Sequence, residues 1–378
     1  MSITAYLKPT NRCNVGCSHC YLSLDVRHNS QIMTTETLKA SIDVLAEMAE
    51  RNSQSVHIAW HGGEPLVLPA SWYLNAQPIL KAGLDDFYQS FMTSLLPLRQ
   101  EHLDLFEELE LIQIGTSVDF SNRQIKGSSD AYLELLMRKV DMAREAGLFV
   151  APTMVPSIHD LGNEKDIVEW FVDHDFPIIN IDRYSSYGRT DPNRPTNAQH
   201  AKFLIDLTEA ILQRLEKGLK TPFFPLIGAA VDGLLTGMPG ERWGTTCQSH
   251  FLVIEPNGSV NTCPDRATFE PAHSNVLDGF NAVTGSLLMR KWRRTQAVGH
   301  FSSNCHTCPH FKFCKSGCPI TPHDTAEDGG ECAGYASYLW YLDKALSNDP
   351  VKREQLIYYA DIDKNETVKA VKTSGVAA

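Results

Sequence analysis

The sequence predicts an α/β protein built on a parallel sheet, and three observations lead there. Short apolar runs of strand length alternate with longer amphipathic segments about six times between residues 3 and 183. The residues with evident chemistry fall just after those runs, at the carboxyl ends where parallel sheets gather their ligands. A stretch of different character follows, because seven of the ten cysteines lie between Cys247 and Cys332 and none between Cys20 and Cys247. The expected organisation is a core over residues 1–195, a helical linker over 196–246, a cysteine-rich domain over 247–345 and a polar tail over 346–378.

The elements follow in order. Residues 3–7 form an apolar strand, and residues 33–51 a helix, capped by Thr34 or Thr35, with Leu38, Ile42, Leu45, Ala46 and Ala49 at helical spacing. Residues 55–60 read as a strand that ends in His61-Gly62-Gly63-Glu64-Pro65, where two glycines permit close backbone approach to a ligand. A helix over 71–86, a strand over 90–96, a helix over 103–109 and a buried strand over 111–118 come next. The last of these ends in Ser117-Val118-Asp119, with Arg123 and Lys126 close behind. A helix over 131–146 stops at Gly147, the usual kind of helix-ending residue. Strands over 148–155 and 177–181 flank a helix over 167–174, and the second leads into a loop from Arg183 to Arg189. Helices over 198–217 and 222–237 fill the linker. Phe251 to Glu255 and Val260 to Thr262 bracket a Pro-Asn-Gly-Ser turn as a hairpin. A short helix over 352–359 precedes an end rich in Lys, Thr, Ser and Ala that is expected to be disordered.

Composition narrows the function. An apolar fraction of 43% with 21% charged residues is that of a globular protein. No run approaches the ~20 apolar residues of a membrane span. Cys13 arrives too early for a signal peptide, so a cytoplasmic location with reduced thiols is expected. Ten cysteines in such a compartment point to metal. The net charge of −11 disfavours nucleic acid as a partner.

Cys13, Cys17 and Cys20 are spaced C-x3-C-x2-C. Three thiolates that wrap an iron–sulfur cube leave one of its four irons open to a small molecule, whereas an electron carrier normally supplies four. Zinc, with His19 as fourth ligand, is the alternative from this stretch alone. The later cysteines run Cys247, Cys263, then Cys305-x2-Cys308-x5-Cys314-x3-Cys318, then Cys332. Zinc is again an alternative for the last run, with His300, His306, His310 and His323 as spare ligands.

The C-x3-C-x2-C loop, Gly62-Gly63-Glu64 and Ser117-x-Asp119 resemble the radical S-adenosylmethionine (SAM) enzymes, and the cysteines from 247 to 332 resemble the SPASM extension of that family. The resemblance covers roughly residues 1–345. It implies a six-stranded partial (β/α) barrel and a C-terminal auxiliary-cluster domain. It implies SAM and three [4Fe–4S] clusters as cofactors, the open iron holding SAM and cleaving it to a 5′-deoxyadenosyl radical. His19, Tyr21, Gly62, Gly63, Glu64, Ser117, Asp119 and Arg123 are then the SAM-contacting set. By the same resemblance Cys305, Cys308, Cys314 and Cys332 hold an outer auxiliary cluster and Cys247, Cys263 and Cys318 an inner one with an iron left over; a single auxiliary cluster with three structural cysteines is the alternative. Asp265, two residues beyond Cys263, is the candidate base, and Tyr184, Tyr187 and Arg189 are candidates for the substrate pocket.

Trp60 to Pro65 and Gly115 to Ser121 look most like maturases of ribosomally made peptides, among them those that join an aromatic ring to a nearby β-carbon as a cyclophane. The expected partners are a precursor peptide and an external reductant such as flavodoxin or ferredoxin. Formylglycine formation on a sulfatase is the alternative within the class. That branch typically carries Gln-Thr-Asn-Gly where this chain has Gln89-Ser90-Phe91-Met92, and one more cysteine. An iron–sulfur electron carrier without SAM chemistry is the alternative outside it. Only twelve residues precede Cys13, so the leader peptide is expected to be read without an N-terminal recognition domain.

Overall fold

The computed structural model describes residues 2–373 except 30, 186, 189, 239, 241–242, 245–246, 268, 300–302 and 328, without the side chains of 303–304 and 362–373. The chain divides into two compact units. One comprises residues 1–150, 185–190 and 246–294, the other 151–184, 191–245 and 295–378. The units interleave along the chain, unlike the consecutive boundaries drawn from the sequence.

The first unit is organised by a parallel sheet. Strand β1 (Ile3–Leu7) alternates buried and half-exposed residues, with Ile3, Ala5 and Leu7 fully buried. It pairs in parallel with β2 (Val56–Trp60), Ile3 opposite Val56 and Leu7 opposite Trp60. Strand β2 pairs in parallel with β3 (Phe87–Phe91), and the ladder steps on through a Met92–Gly115 bridge to β4 (Gln113–Ser117). The crossovers are helices, as a parallel sheet requires. Helix Thr35–Asn52 is capped by Thr34, whose hydroxyl accepts from Thr37 N–H. Its buried stripe of Leu38, Ile42, Leu45 and Met48 packs toward helix Ala70–Gly83. Gly83 permits that contact, because a Cβ there would lie 2.4 Å from Ile42 Cγ2.

The third strand is corrected from 90–96 to Phe87–Phe91. The apolar run beyond Phe91 is a buried turn: Leu95 and Leu98 are fully buried, and Leu95 has φ of 62°, which no strand tolerates. The hairpin of β7 (Phe251–Ile254) and β8 (Ser259–Asn261) forms as expected, with β9 (Ser274–Asn275) beside it. Its first strand, however, lies parallel against β1, Thr4 opposite Phe251 and Leu7 opposite Ile254. A six-stranded sheet β3-β2-β1-β7-β8-β9 results.

In the second unit, residues 151–154 of β5 (Phe149–Met154) pair in parallel with β6 (Asn180–Ile181). Helix Asn197–Glu216 opens with a capping box of Thr196 and Gln199, and packs toward helices Glu164–Asp173 and Ala336–Asn348. The terminal helix runs from Pro350 to Thr373, longer than the 352–359 helix expected from sequence, and residues 374–378 lie outside the described residues. Tyr359 anchors it, donating to Pro222 O at 2.9 Å and accepting from Phe224 N–H at 2.7 Å. Among the described residues no helix is long and apolar enough to cross a membrane.

Candidate active site

The cysteine loop leaves the carboxyl end of β1 and is held from several sides. Cys13 N–H donates to Arg27 O, Arg27 Nη1 to Val15 O, and Val15 N–H to Cys13 Sγ at 3.4 Å. Burial pushes the Cys17 thiol up to about 12 against the pull of Arg123, with Cys20, Asp119 and Cys13 adding to the rise. Cys13 is pushed up to about 11 by burial, with Cys20 again among the charges it feels. The three sulfurs therefore sit within electrostatic reach of one another, and Cys13 and Cys17 lie where bare thiolates are disfavoured. A thiol set of this kind binds as thiolate when a metal cation supplies the opposing charge. The donor set fits a [4Fe–4S] cluster with one iron open.

Gly62 and Gly63 lie against this loop. Gly63 N–H donates to Thr10 O at 3.2 Å and Glu64 N–H to Arg12 O at 2.9 Å. A Cβ on Gly62 would lie 2.1 Å from Thr10 O, and one on Gly63 2.2 Å from Asn11 O. The sequence reads these glycines as making room for a ligand; in the fold they make room for the backbone of residues 10–12. Glu64 is 1% exposed, and its carboxylate accepts from Leu66 N–H, Thr93 Oγ1, Ser94 N–H and Ser94 Oγ at 2.5–3.0 Å. Both oxygens brace the turn after β3.

From β4 come the remaining contacts. Asp119, 1% exposed, accepts from Arg123 Nε at 2.6 Å and lies 3.9 Å from His19 Nε2. Burial opposes the charge on Arg123, but Cys17, Tyr132 and Asp119 outweigh it and hold the guanidinium well above its usual range. Ser18 N–H donates to Asn122 O at 2.9 Å, and the Ser117 carbonyl accepts from Tyr132. Asp119 and Arg123 are thus gathered on the cysteine loop beside its own His19, Ser117 contacts Tyr132 through its carbonyl, and Lys126 is exposed.

Sequence reasoning missed Lys8. Fully buried, it donates to Glu255 Oε1 at 2.6 Å, and Asn11 donates to Oε2 at 2.7 Å. Its ammonium lies 5.0 Å from the ring centroid of Tyr21. Burial and then Lys8 lower His61 to about 3, so that its ring, stacked on Tyr6, is neutral. Burial raises the Tyr21 phenol well above its usual value, with Glu255, Cys20 and Asp265 adding to the rise. Asp265 is thus placed near the cysteine loop, half-buried in the 3₁₀ turn Pro264–Arg266 that follows Cys263. Tyr187 donates to Glu270, and Tyr184 to Asp191 at 2.8 Å. Arg189 and His300 lie outside the described residues.

In the second unit Cys305, Cys308, Cys314 and Cys332 line one cavity of about 260 Å³ with Phe311 and Gly334. Burial pushes Cys314 up to about 12, with Cys332, Cys308 and Cys305 all adding to the rise. A Cβ on Gly334 would sit 2.4 Å from Cys314 Sγ, so glycine keeps the cavity clear. None of His306, His310 and His323 lines it, and His323 Nδ1 accepts from Ala333 N–H. Four thiols around one cavity fit a fully ligated [4Fe–4S] cluster. Cys247 and Cys263 belong to the first unit, and Cys318 to the second.

Three comparisons bear on this site. Residues 7–171 match the Radical SAM superfamily. The antilisterial bacteriocin subtilosin biosynthesis protein AlbA of Bacillus subtilis is 24% identical over 332 residues, 84% of this chain and 67% of that protein. The serine-type anaerobic sulfatase-maturating enzyme of Bacteroides thetaiotaomicron is 23% identical over 387 residues, 89% of this chain and 90% of that one. An uncharacterized protein of Archaeoglobus fulgidus is 29% identical over 140 residues, and the chain spans only 31% of its length. Among solved structures, native anSMEcpe with bound AdoMet superposes with a TM-score of 0.77 at 17% identity, over 95% of this chain and 99% of that one. Streptococcus suis SuiB bound to precursor peptide SuiA gives 0.60 at 16% identity, over 85% and 72%. These two share the fold. With three gathered thiols and a matching domain model around them, residues 7–171 form a radical SAM domain.

Proposed function

We propose that this enzyme modifies a ribosomally made peptide, and that the modification is an oxidative carbon–carbon cross-link between an aromatic side chain and the β-carbon of a nearby residue. The observation that carries the reading is the pairing of a three-thiol loop with a separate four-thiol cavity, which suits radical chemistry that must also dispose of an electron. The names of two relatives support a peptide or protein substrate, one serving bacteriocin biosynthesis and the other sulfatase maturation.

Cys13, Cys17 and Cys20 would hold the SAM-binding cluster, and Cys305, Cys308, Cys314 and Cys332 an auxiliary one. When bound, these groups supply hydrogen-atom abstraction from a strong C–H bond and an acceptor for the second electron. The chain's own residues do the rest. Arg123 and Asp119 fix the far side of the loop, and Gly62, Gly63 and Glu64 fix its near side. Asp265 takes the proton lost when the ring regains aromaticity. An external reductant and the precursor peptide are the partners this requires.

A second reading, formylglycine formation, is favoured by the likeness to the sulfatase-maturating enzyme over 89% of this chain. Gln89 on β3 weighs against it: its amide is engaged with Trp60 Nε1 and Gln77 rather than held for a ligand. One experiment separates the readings. Reconstituted enzyme receives SAM, dithionite and the short precursor peptide encoded beside its gene. Formation of 5′-deoxyadenosine with a product lighter by two hydrogens and a ring-to-carbon fragment supports the cross-link. An aldehyde on a Ser or Cys of a neighbouring sulfatase selects formylglycine. No 5′-deoxyadenosine from cluster-loaded protein selects an electron carrier.

A further inference from the structure

Arg266 is the largest charge in the first unit with no exposure at all, and it lies three residues beyond Cys263. A buried guanidinium is costly unless its donors are spent. Nη2 donates to Gln248 Oε1 and to Thr262 Oγ1, each at 2.8 Å, and Nη1 donates to Glu270 Oε2 at 3.2 Å. The plane stacks on Trp292 at 3.8 Å. Glu270, which balances the charge, also accepts from Trp292 Nε1 at 3.1 Å and from Tyr187. Nε of Arg266, by contrast, is buried without a hydrogen-bond partner.

The residues that Arg266 grips are the neighbours of two cysteines. Thr262 precedes Cys263 and donates to Gln248 Oε1 at 2.6 Å. Gln248 follows Cys247, and its Nε2 donates to Cys247 Sγ at 3.6 Å. A chain of hydrogen bonds therefore runs from Glu270 through the Arg266 cation and the Gln248 amide to one sulfur, and ends beside the other.

We propose that Arg266, acting through Gln248, is a positioning residue for an iron–sulfur cluster ligated by Cys247 and Cys263, and that it sets that cluster's reduction potential. Hydrogen bonds and positive charge near cluster sulfur favour the reduced, more negative state and so raise the potential. The unspent Nε–H is a further donor of the kind a sulfide accepts. This rests on the reading that the chain carries a second auxiliary cluster.

The test uses the full chain with Cys13, Cys17 and Cys20 changed to Ala, so that only auxiliary iron remains. Iron and sulfide analysis should give about eight irons per chain, four for each cluster, falling by half on adding Cys247→Ala. About four irons, unaffected by Cys247→Ala, means no cluster at this site and defeats both the reading and the inference. With two clusters present, an EPR-monitored redox titration should show one of two midpoints move to lower potential in Gln248→Met and further in Arg266→Gln. Arg266→Lys, which keeps the charge, should recover most of the shift. The second midpoint should stay fixed. Two loaded clusters with both midpoints unchanged in Gln248→Met, a buried substitution of similar volume that keeps the Arg266 charge but breaks its link to Cys247, would overturn the inference alone.

Discussion

Two cysteine sites of this protein are built by the same means and differ by one thiol. At the amino-terminal loop the glycine turn packs on the backbone of residues 10–12, just before the three cysteines, and the Asp119–Arg123 pair sits within electrostatic reach of Cys17. At the carboxy-terminal cavity four sulfurs line one space, kept clear by a glycine. Burial raises Cys13 and Cys17 at the first site and Cys314 and Cys332 at the second, so each site favours a cation beside its sulfurs. On the proposed reading, the missing thiol at the first site leaves a coordination position for a reactant, and the complete set at the second leaves only electron storage or transfer. Ligand count, rather than fold or burial, separates reactive from conductive.

Breaking each site in turn sharpens that contrast. Cys17→Ala should lose about four irons per chain and abolish 5′-deoxyadenosine formation, read by chromatography. Cys314→Ala should lose about as much iron with SAM cleavage retained and peptide modification lost. Retention of all iron in the second variant would break the comparison. Gly334→Ala is a milder version, since its Cβ would press on Cys314 Sγ at 2.4 Å. It should lower stability by about 1–3 kcal/mol and weaken cluster loading, seen as a smaller absorbance near 400 nm, a typical iron–sulfur wavelength.

Glu64→Gln keeps the shape but replaces a buried carboxylate that four donors share. It should cost about 2 kcal/mol in urea unfolding with little change in iron content, because the brace supports the turn rather than the sulfurs. The effect confined to acid conditions concerns pH. Folding lowers His61 from 6.5 to about 3, through burial and Lys8. Below pH 6.5 the unfolded chain takes a proton that the folded chain refuses until about pH 3. The stability that neutral His61 provides is complete above about pH 6.5 and drains away as pH falls toward 3, by a few kcal/mol. His61→Gln should flatten that part of the stability curve; an unchanged slope would remove His61 from the account.

Much of this was legible because it is local. The cysteine spacing, the glycine turn and the β/α alternation are short-range patterns, and the strands of the first half lie within a few residues of where apolar runs place them. The third strand misled for a physical reason. Buried turns are as apolar as strands, and only the positive φ of Leu95 tells them apart. The partners of Glu64, Lys8 and Arg266 lie 2 to 247 residues away, and nothing in the local sequence marks a lone Lys or Arg as buried. Nor is there a local signal that β7 belongs beside β1. A hairpin looks the same whether its outer edge faces water or another strand.

That last pairing has a kinetic consequence. Strand β1 is synthesised well before one of its two neighbours, β7, which follows some 250 residues later at Phe251–Ile254. Until then β1 exposes an unpaired edge and a lysine whose counter-ion does not yet exist. Such distant closure slows folding and invites misassembly of partly made chains. Nascent chains stopped before Phe251 should therefore be captured by chaperones, and those extended past Asn261 released.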